Sequence, residues 1–84
     1  MLTRYWIRFR EPIPIDALRL GCGVTARSAD DAMSLLREKV FRGVAFTVAD
    51  MEADIDVSRI EDLRIRPNMG VVVWRGIWFP LGYD

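Results

Sequence analysis

Residues 4–10 alternate strictly between an apolar side and a polar side. The apolar side holds Tyr5, Ile7 and Phe9, and the other side holds Arg4, Trp6, Arg8 and Arg10. A period of two with aromatic and β-branched residues is typical of a half-buried strand. Pro12 and Pro14 follow directly, and they predict the end of the strand because proline donates no hydrogen bond to a neighbouring strand.

A second alternating stretch spans residues 18–27, LRLGCGVTAR. Its apolar side includes Cys22 and Val24, whereas Gly21 and Gly23 lie two residues apart on the opposite side. Glycines at this spacing leave room for a bulge, or for the close approach of a backbone or a large side chain. We expect this stretch to be the strand that pairs with residues 4–10.

The period changes to that of a helix after Ser28. Ser28 can cap a helix start, and Asp30 and Asp31 then lie at the positive end of the helix dipole. The predicted buried stripe consists of Ala29, Ala32, Met33, Leu35, Leu36 and Val40. These positions predict a helix that runs to about Phe41 and is terminated by Gly43.

The apolar segments after the helix are shorter. A third strand is predicted around Val44, Phe46 and Val48, and a single helical turn at 57–62. Residues 63–66, 71–74 and 77–79 have the composition of short strands. Arg75-Gly76, between the last two, fits either a hairpin turn or a bulge within one strand. Arginine resists positive φ, which favours the bulge.

The order of the predicted elements is β-β-α-β-β. One main helix packed on a mainly antiparallel sheet of four to five strands is an α+β fold with two layers. A chain of 84 residues is expected to form one domain, here spanning 1–84.

The composition excludes several classes of function. The 12 basic and 12 acidic residues balance, which argues against a nucleic-acid partner. The chain has no histidine and a single cysteine, Cys22, so we expect a non-catalytic protein without a cofactor or metal. No apolar run approaches the roughly 20 residues of a membrane span, and the first residues lack a secretory apolar core. A cytoplasmic protein without a membrane partner is therefore expected.

Four acidic residues recur at every second position after the predicted third strand. They are Asp50, Glu52, Asp54 and Asp56. Three interpretations are open: a solvated sheet edge whose charges block pairing with another edge, a contact surface for a basic protein partner, or a metal site. A metal is the weakest of the three, because the glycines of a calcium loop are missing.

The polar side of the first strand combines Trp6 with several arginines, including Arg8. Such a face fits solvent, a protein interface or, less well at zero net charge, nucleic acid. Trp74 and Trp78 are expected to share a face near the end of the chain. Since three tryptophans are hard to bury fully in so small a domain, we expect at least one of them to stay exposed.

Three segments also stand out as motifs. They are GCGVTA at 21–26 leading into SADDA at 28–32, PNMG at 67–70, and RGIWFP at 75–80. Their combination resembles a family of small bacterial proteins to which no activity is assigned. In size and type the chain is also similar to the immunity proteins of interbacterial toxin systems. The resemblance implies a stand-alone bacterial protein and transfers no catalytic residue.

Two functions are expected as alternatives. The first is a protein-binding module, most specifically an immunity protein that neutralises a toxin by covering its active site. The second is a structural or regulatory homodimer in which the tryptophan face pairs with its own copy. A small-ligand carrier would need a well-formed pocket with a few convergent polar groups. The residues expected to contact a partner are Trp6, Arg8, Asp50, Glu52, Asp54, Asp56, Trp74, Arg75 and Trp78.

Overall fold

The fold contains one helix and one sheet. The computed structural model describes residues 1–83. The strands are β1 (Thr3–Phe9), β2 (Cys22–Ala26), β3 (Val48–Ala53) and β4 (Gly76–Phe79). Helix α1 (Ala29–Leu35) continues without a break into a π-helical segment, Leu36–Phe41. Single 3-10 turns lie at Asp16–Leu18, Val57–Arg59 and Arg66–Asn68. The predicted α+β class is confirmed.

The four strands form one antiparallel sheet in the order β3-β1-β2-β4. The predicted pairing of the first two strands is confirmed, with Thr3 opposite Ala26 and Ile7 opposite Cys22. Strand β3 lies on the other side of β1, and β4 lies beside β2. Strands β3 and β4 are therefore the two edges of the sheet.

One face of the sheet packs against the helix, as its alternating pattern predicts. Tyr5, Ile7 and Phe9 belong to the same buried cluster as Leu36 and most of the predicted helical stripe. The helix also starts as predicted, because the Ser28 hydroxyl accepts a hydrogen bond of 3.1 Å from the Asp31 amide. The alternation of the first strand and the spacing of apolar residues in the helix therefore predicted this part of the core.

The opposite face of the sheet is covered as well. Trp6, Ile65, Trp78 and Phe79 form a second buried cluster. Partly buried side chains between residues 55 and 72 pack over it. The prediction that Trp6 lies on an accessible sheet face is therefore wrong, since only 7% of this residue is exposed.

Two glycines make room for the second cluster. A Cβ atom on Gly21 would lie 2.8 Å from the Trp6 ring, and one on Gly23 would lie 2.5 Å from the Trp78 ring. Any side chain at either position would overlap an indole. The predicted close approach of a large side chain to these glycines is confirmed.

The last third of the chain departs from its predicted strands. Residues 63–66 form turns, and 71–75 pair with no strand. In the second segment, the Val72 carbonyl accepts a hydrogen bond from the Thr25 hydroxyl instead of from a neighbouring strand, and the Arg75 side chain pairs with Asp31. The irregularity in the pairing of β2 with β4 lies between Gly23 and Val24, so the predicted bulge at Arg75-Gly76 is misplaced. Strand β3 also starts at Val48, later than predicted.

We predict that Leu36→Ala lowers the free energy of unfolding by about 2–5 kcal/mol, because the side chain is fully buried and leaves a cavity. Urea denaturation measures this change. Leu63→Ala is the matched control, since Leu63 is 83% exposed and its loss should stay within about 0.5 kcal/mol. A loss below about 1 kcal/mol for Leu36→Ala would mean that the helix packs differently.

We also predict that Gly23→Ala destabilises the fold by about 1–3 kcal/mol through overpacking against Trp78. In a protein that already has Trp78→Phe, Gly23→Ala should lower the free energy of unfolding by less than it does in the wild type. The smaller phenylalanine ring leaves room for the alanine side chain. A double-mutant cycle by urea denaturation measures this coupling. Gly70→Ala is the control, because its nearest neighbour is the flexible Leu81 side chain at 3.3 Å. Strict additivity of the two changes would contradict the packing of Trp78 on Gly23.

Candidate functional site

Four large apolar side chains near the end of the chain are exposed. They are Val71, Val73, Trp74 and Leu81, which we call the Trp74 patch. Trp74 is 71% exposed, the largest exposure among the three tryptophans. Val71, Trp74 and Leu81 line one shallow pocket of about 90 Å³, which shows that these three side chains are neighbours in space.

The segment that presents Trp74 is fixed on both sides. The buried Thr25 hydroxyl donates a hydrogen bond of 2.6 Å to the Val72 carbonyl oxygen. Arg75 donates two hydrogen bonds to the Asp31 carboxylate, Nε to Oδ2 at 2.9 Å and Nη2 to Oδ1 at 2.5 Å. A bidentate pair of this kind restricts orientation as well as distance. Trp74 is therefore held outward by a segment that lacks strand pairing.

Asp31 is the anchor point for this segment. The hydrogen bonds from Arg75 lower the pKa of Asp31 well below its usual range, and a hydrogen bond from the Arg27 amide adds to the effect. That hydrogen bond is 2.9 Å long and joins the helix start to the residue that follows β2. One carboxylate thus ties together the end of β2, the first turn of α1 and the Trp74 segment.

Two of the four acidic residues, Asp50 and Glu52, lie on β3, and the other two follow it. Asp50 pairs with Arg8 at 3.1 Å, and Asp56 caps the turn at Val57–Arg59 by accepting a hydrogen bond from the Ser58 amide. The Ser58 hydroxyl and amide lower the pKa of Asp56. Asp54 adopts a φ of 57° just after β3. Across residues 1–83, no group of three His, Cys, Asp or Glu side chains converges closely enough to hold a metal ion.

Glu52 borders a cleft of about 420 Å³ that lies above the second cluster. We call this cleft the Trp6 cleft. Its lining residues are Trp6, Arg8, Arg19, Leu20, Glu52, Ile55, Ile60, Asp62, Arg64 and Ile65. Three residues predicted to contact a partner, Trp6, Arg8 and Glu52, are therefore brought together here. Arg19 and Arg64 were not among the predicted contact residues, because their segments were predicted as strands, whereas both residues lie on turns.

The tryptophans do not share a face as predicted. Trp78 is completely buried, and its Nε1 has no hydrogen-bond partner within the described part of the chain. Trp74 lies outside with Arg75 beside it, which confirms the expectation that at least one tryptophan stays exposed. Val71, Val73 and Leu81 were not among the predicted contact residues, because their apolar character indicated a strand or core position.

Cys22 is buried as expected. Burial raises the pKa of its thiol to about 12, so the group is protonated at neutral pH. The thiolate is the nucleophilic form of cysteine. The side chain therefore acts as a small apolar member of the first cluster.

We predict that the stability difference between the wild type and Asp31→Asn depends on pH. Because the pKa of Asp31 in the fold lies below the ordinary aspartate value of about 3.9, its carboxylate stabilises the fold above that pH. The contribution is lost as the pH falls through the acid range below about 4. In urea denaturation, the free energy of unfolding of the wild type should therefore exceed that of Asp31→Asn most near neutral pH. The excess should shrink below about pH 4.

Asp30→Asn is the control for this pH series. Asp30 lies in the same first turn of the helix and shares its dipole, but within the described range 1–83 its carboxylate accepts no hydrogen bond, unlike that of Asp31. The stability difference between Asp30→Asn and the wild type should be smaller, because this substitution breaks no side-chain hydrogen bond. A difference for Asp31→Asn that stays constant from neutral to strongly acidic pH would contradict the anchoring role of its carboxylate.

The chain has neither a membrane-spanning helix within its described residues nor a significant match among known proteins. No helix within residues 1–83 is long and apolar enough to cross a membrane. No protein-family model matches the chain, and no curated protein or solved structure matches it significantly.

Proposed function

We propose that the chain is a non-catalytic protein-binding module that contacts its partner through the Trp74 patch. The observation that supports this proposal is a tryptophan with 71% of its surface exposed on a segment fixed by Thr25 and Asp31. Tryptophan and arginine are enriched among the residues that dominate binding energy at protein interfaces. Because the segment is already ordered, little conformational entropy is lost when a partner binds.

The patch indicates the chemistry of the partner surface. Trp74 and its apolar neighbours require an apolar pocket, and Arg75 requires an oxygen acceptor at the rim of that pocket. The Arg75 guanidinium has five N–H donors, of which Asp31 engages two. The remaining donors are available to a carbonyl or carboxylate of the partner.

The size of the patch favours a different protein over a second copy of this chain. A stable interface buries about 800 Å² on each partner and involves 20 or more residues. The neighbouring side chains of Val71, Trp74 and Leu81 form the centre of such an interface, and a permanent homodimer usually buries more apolar surface than this. The homodimer therefore remains the alternative, and the oligomeric state tests it.

The specific form of this proposal is an immunity protein that acts in the bacterial cytoplasm. The resemblance of the GCGVTA, PNMG and RGIWFP segments to small bacterial proteins supports it, as does a surface formed before the partner arrives. Such a module inhibits a toxin by occlusion, because a rigid projecting indole can fill the mouth of an active-site cleft. It needs no catalytic residue of its own.

We predict that Trp74→Ala weakens binding to the natural partner by at least about 30-fold, the effect of removing a dominant interface residue. The partner is first identified by pull-down from the source organism, then produced separately and titrated by calorimetry. Leu63→Ala removes an equally exposed apolar side chain outside the patch and should bind like the wild type. Retained affinity in Trp74→Ala would overturn the assignment of the patch.

Two further measurements separate the alternatives. Reversing the charges of Asp50, Glu52 and Asp54 together should leave the affinity within a few-fold of wild type if the patch forms the contact. Loss of binding in that variant alone would assign the interface to the acidic residues. Light scattering that shows a dimer at tens of micromolar, abolished by Trp74→Ala, would instead establish the homodimer.

A further inference from the structure

The Trp6 cleft is a second candidate site, separate from the Trp74 patch. It lies above the cluster of Trp6 and Ile65 and is bordered by Glu52 of the edge strand β3, whereas the patch lies beside β4 at the other edge. The two sites share no lining residue. A volume of about 420 Å³ falls within the range of small-molecule sites, about 300–1,000 Å³.

Two arginines of the cleft are oriented by carboxylates outside it. Arg8 donates one hydrogen bond to Asp50, and Arg19 donates one each to Asp16 and Glu11. None of these three carboxylates lines the cleft. Because each guanidinium has five N–H donors, most donors of Arg8 and Arg19 remain free while the side chains are held in place. These acids offset part of the charge of the arginines, but they leave N–H donors of both guanidinium groups free.

The third arginine is paired with a carboxylate that itself lines the cleft. Arg64 donates hydrogen bonds from Nε and Nη2 to Asp62, at 3.1 and 2.8 Å. Both residues line the cleft, so this pair adds polarity to one wall and little net charge. The free donors of Arg8 and Arg19 are therefore the groups most able to bind a ligand.

The rest of the lining suits an apolar body. Trp6 and Ile65 come from the second cluster, and Leu20, Ile55 and Ile60 are partly buried side chains packed against it. The indole of Trp6 is backed by the rings of Trp78 and Phe79, with centroids 5.8 and 5.5 Å away. Such backing holds the floor of the cleft in one position.

The charges of the lining determine which anion fits. The lining has three guanidinium groups and two carboxylates, those of Glu52 and Asp62, and further carboxylates pair with Arg8 and Arg19 from outside the cleft. Glu52 forms no ion pair with any residue of the described chain, so its charge is not offset locally. One carboxylate on a ligand can accept hydrogen bonds from the free donors of Arg8 and Arg19, whereas a second negative charge would be repelled by Glu52.

We infer that the Trp6 cleft binds a small molecule that has an apolar body and a single carboxylate. The carboxylate accepts hydrogen bonds from the free donors of Arg8 and Arg19, a pairing for which guanidinium groups are well suited. The body lies on Trp6 and the neighbouring isoleucines. Glu52 discriminates against ligands with two negative charges.

The experiment uses naphthalene-2-carboxylate as the probe and the full-length wild-type protein. Calorimetry should show saturable binding at micromolar to low millimolar concentration. In nitrogen-edited NMR, the indole N–H signal of Trp6 should shift with the same saturation curve. The Trp74 signal should not move, because Trp74 is outside the cleft, and it serves as the internal control.

The variants test the roles of the side chains. Arg8→Gln and Arg19→Gln should each weaken binding about tenfold, the effect of losing a hydrogen bond between charged groups. Arg59→Gln is the matched control, because Arg59 is also paired with a carboxylate, Asp56, but lies outside the cleft. Its affinity should equal that of the wild type. Near-ultraviolet circular dichroism confirms that each variant retains the packed tryptophans.

Two analogues test the chemical class. The neutral 2-naphthalenemethanol and the doubly charged 2-naphthyl phosphate should both bind at least about tenfold more weakly than the carboxylate. Glu52→Gln should reduce the difference in affinity between 2-naphthyl phosphate and naphthalene-2-carboxylate. Three results would overturn the inference: no saturable binding of the carboxylate, equal affinity for the alcohol, or tighter binding of the phosphate by the wild type. Unchanged affinity in both cleft arginine variants would overturn it equally.

Discussion

The contact of two indole rings with two glycines determines how this chain folds on its second face. Trp6 lies on Gly21 and Trp78 lies on Gly23, at distances that leave no room for a Cβ atom. Each indole contributes roughly 150–250 Å² of buried area. For a chain of 84 residues with a single cysteine, this burial provides a second core where a disulfide is impossible. Because these glycines have no side chains, the two indoles can pack directly on this face of the sheet and make it apolar.

That second core also decides which tryptophan is left outside. Trp6 and Trp78 fill the space above β2, and Trp74 precedes β4 on a segment bonded to Thr25 and Asp31. An exposed single leucine is ordinary, but a projecting tryptophan among apolar neighbours is not needed for folding. Its fixed, exposed position is the basis of the proposed contact with another protein.

Local patterns predicted the first half of the fold well. The alternation of residues 4–10, the glycine pair and the cap at Ser28 act over a few positions, and each fixed its element. The segment 71–75 has a strand-like composition, yet its bonds go to Thr25 and Asp31, 47 and 44 positions away in sequence. Burial of Trp6 likewise depends on residues 55–72, which have no regular period. The Trp6 cleft was unpredictable for the same reason, since its lining comes from distant segments.

The two proposed sites are physically connected through the second core. Trp6, on the floor of the cleft, packs against Trp78, and the Trp78 carbonyl accepts a hydrogen bond of 2.6 Å from the Gly70 amide. Gly70 in turn borders the small pocket beside Trp74. Because tightly packed clusters transmit displacements, a change at Trp78 would disturb both sites together. The two kinds of binding can therefore be tested independently only by substituting residues outside the shared core. Arg19 in the Trp6 cleft and Trp74 in the Trp74 patch are such residues.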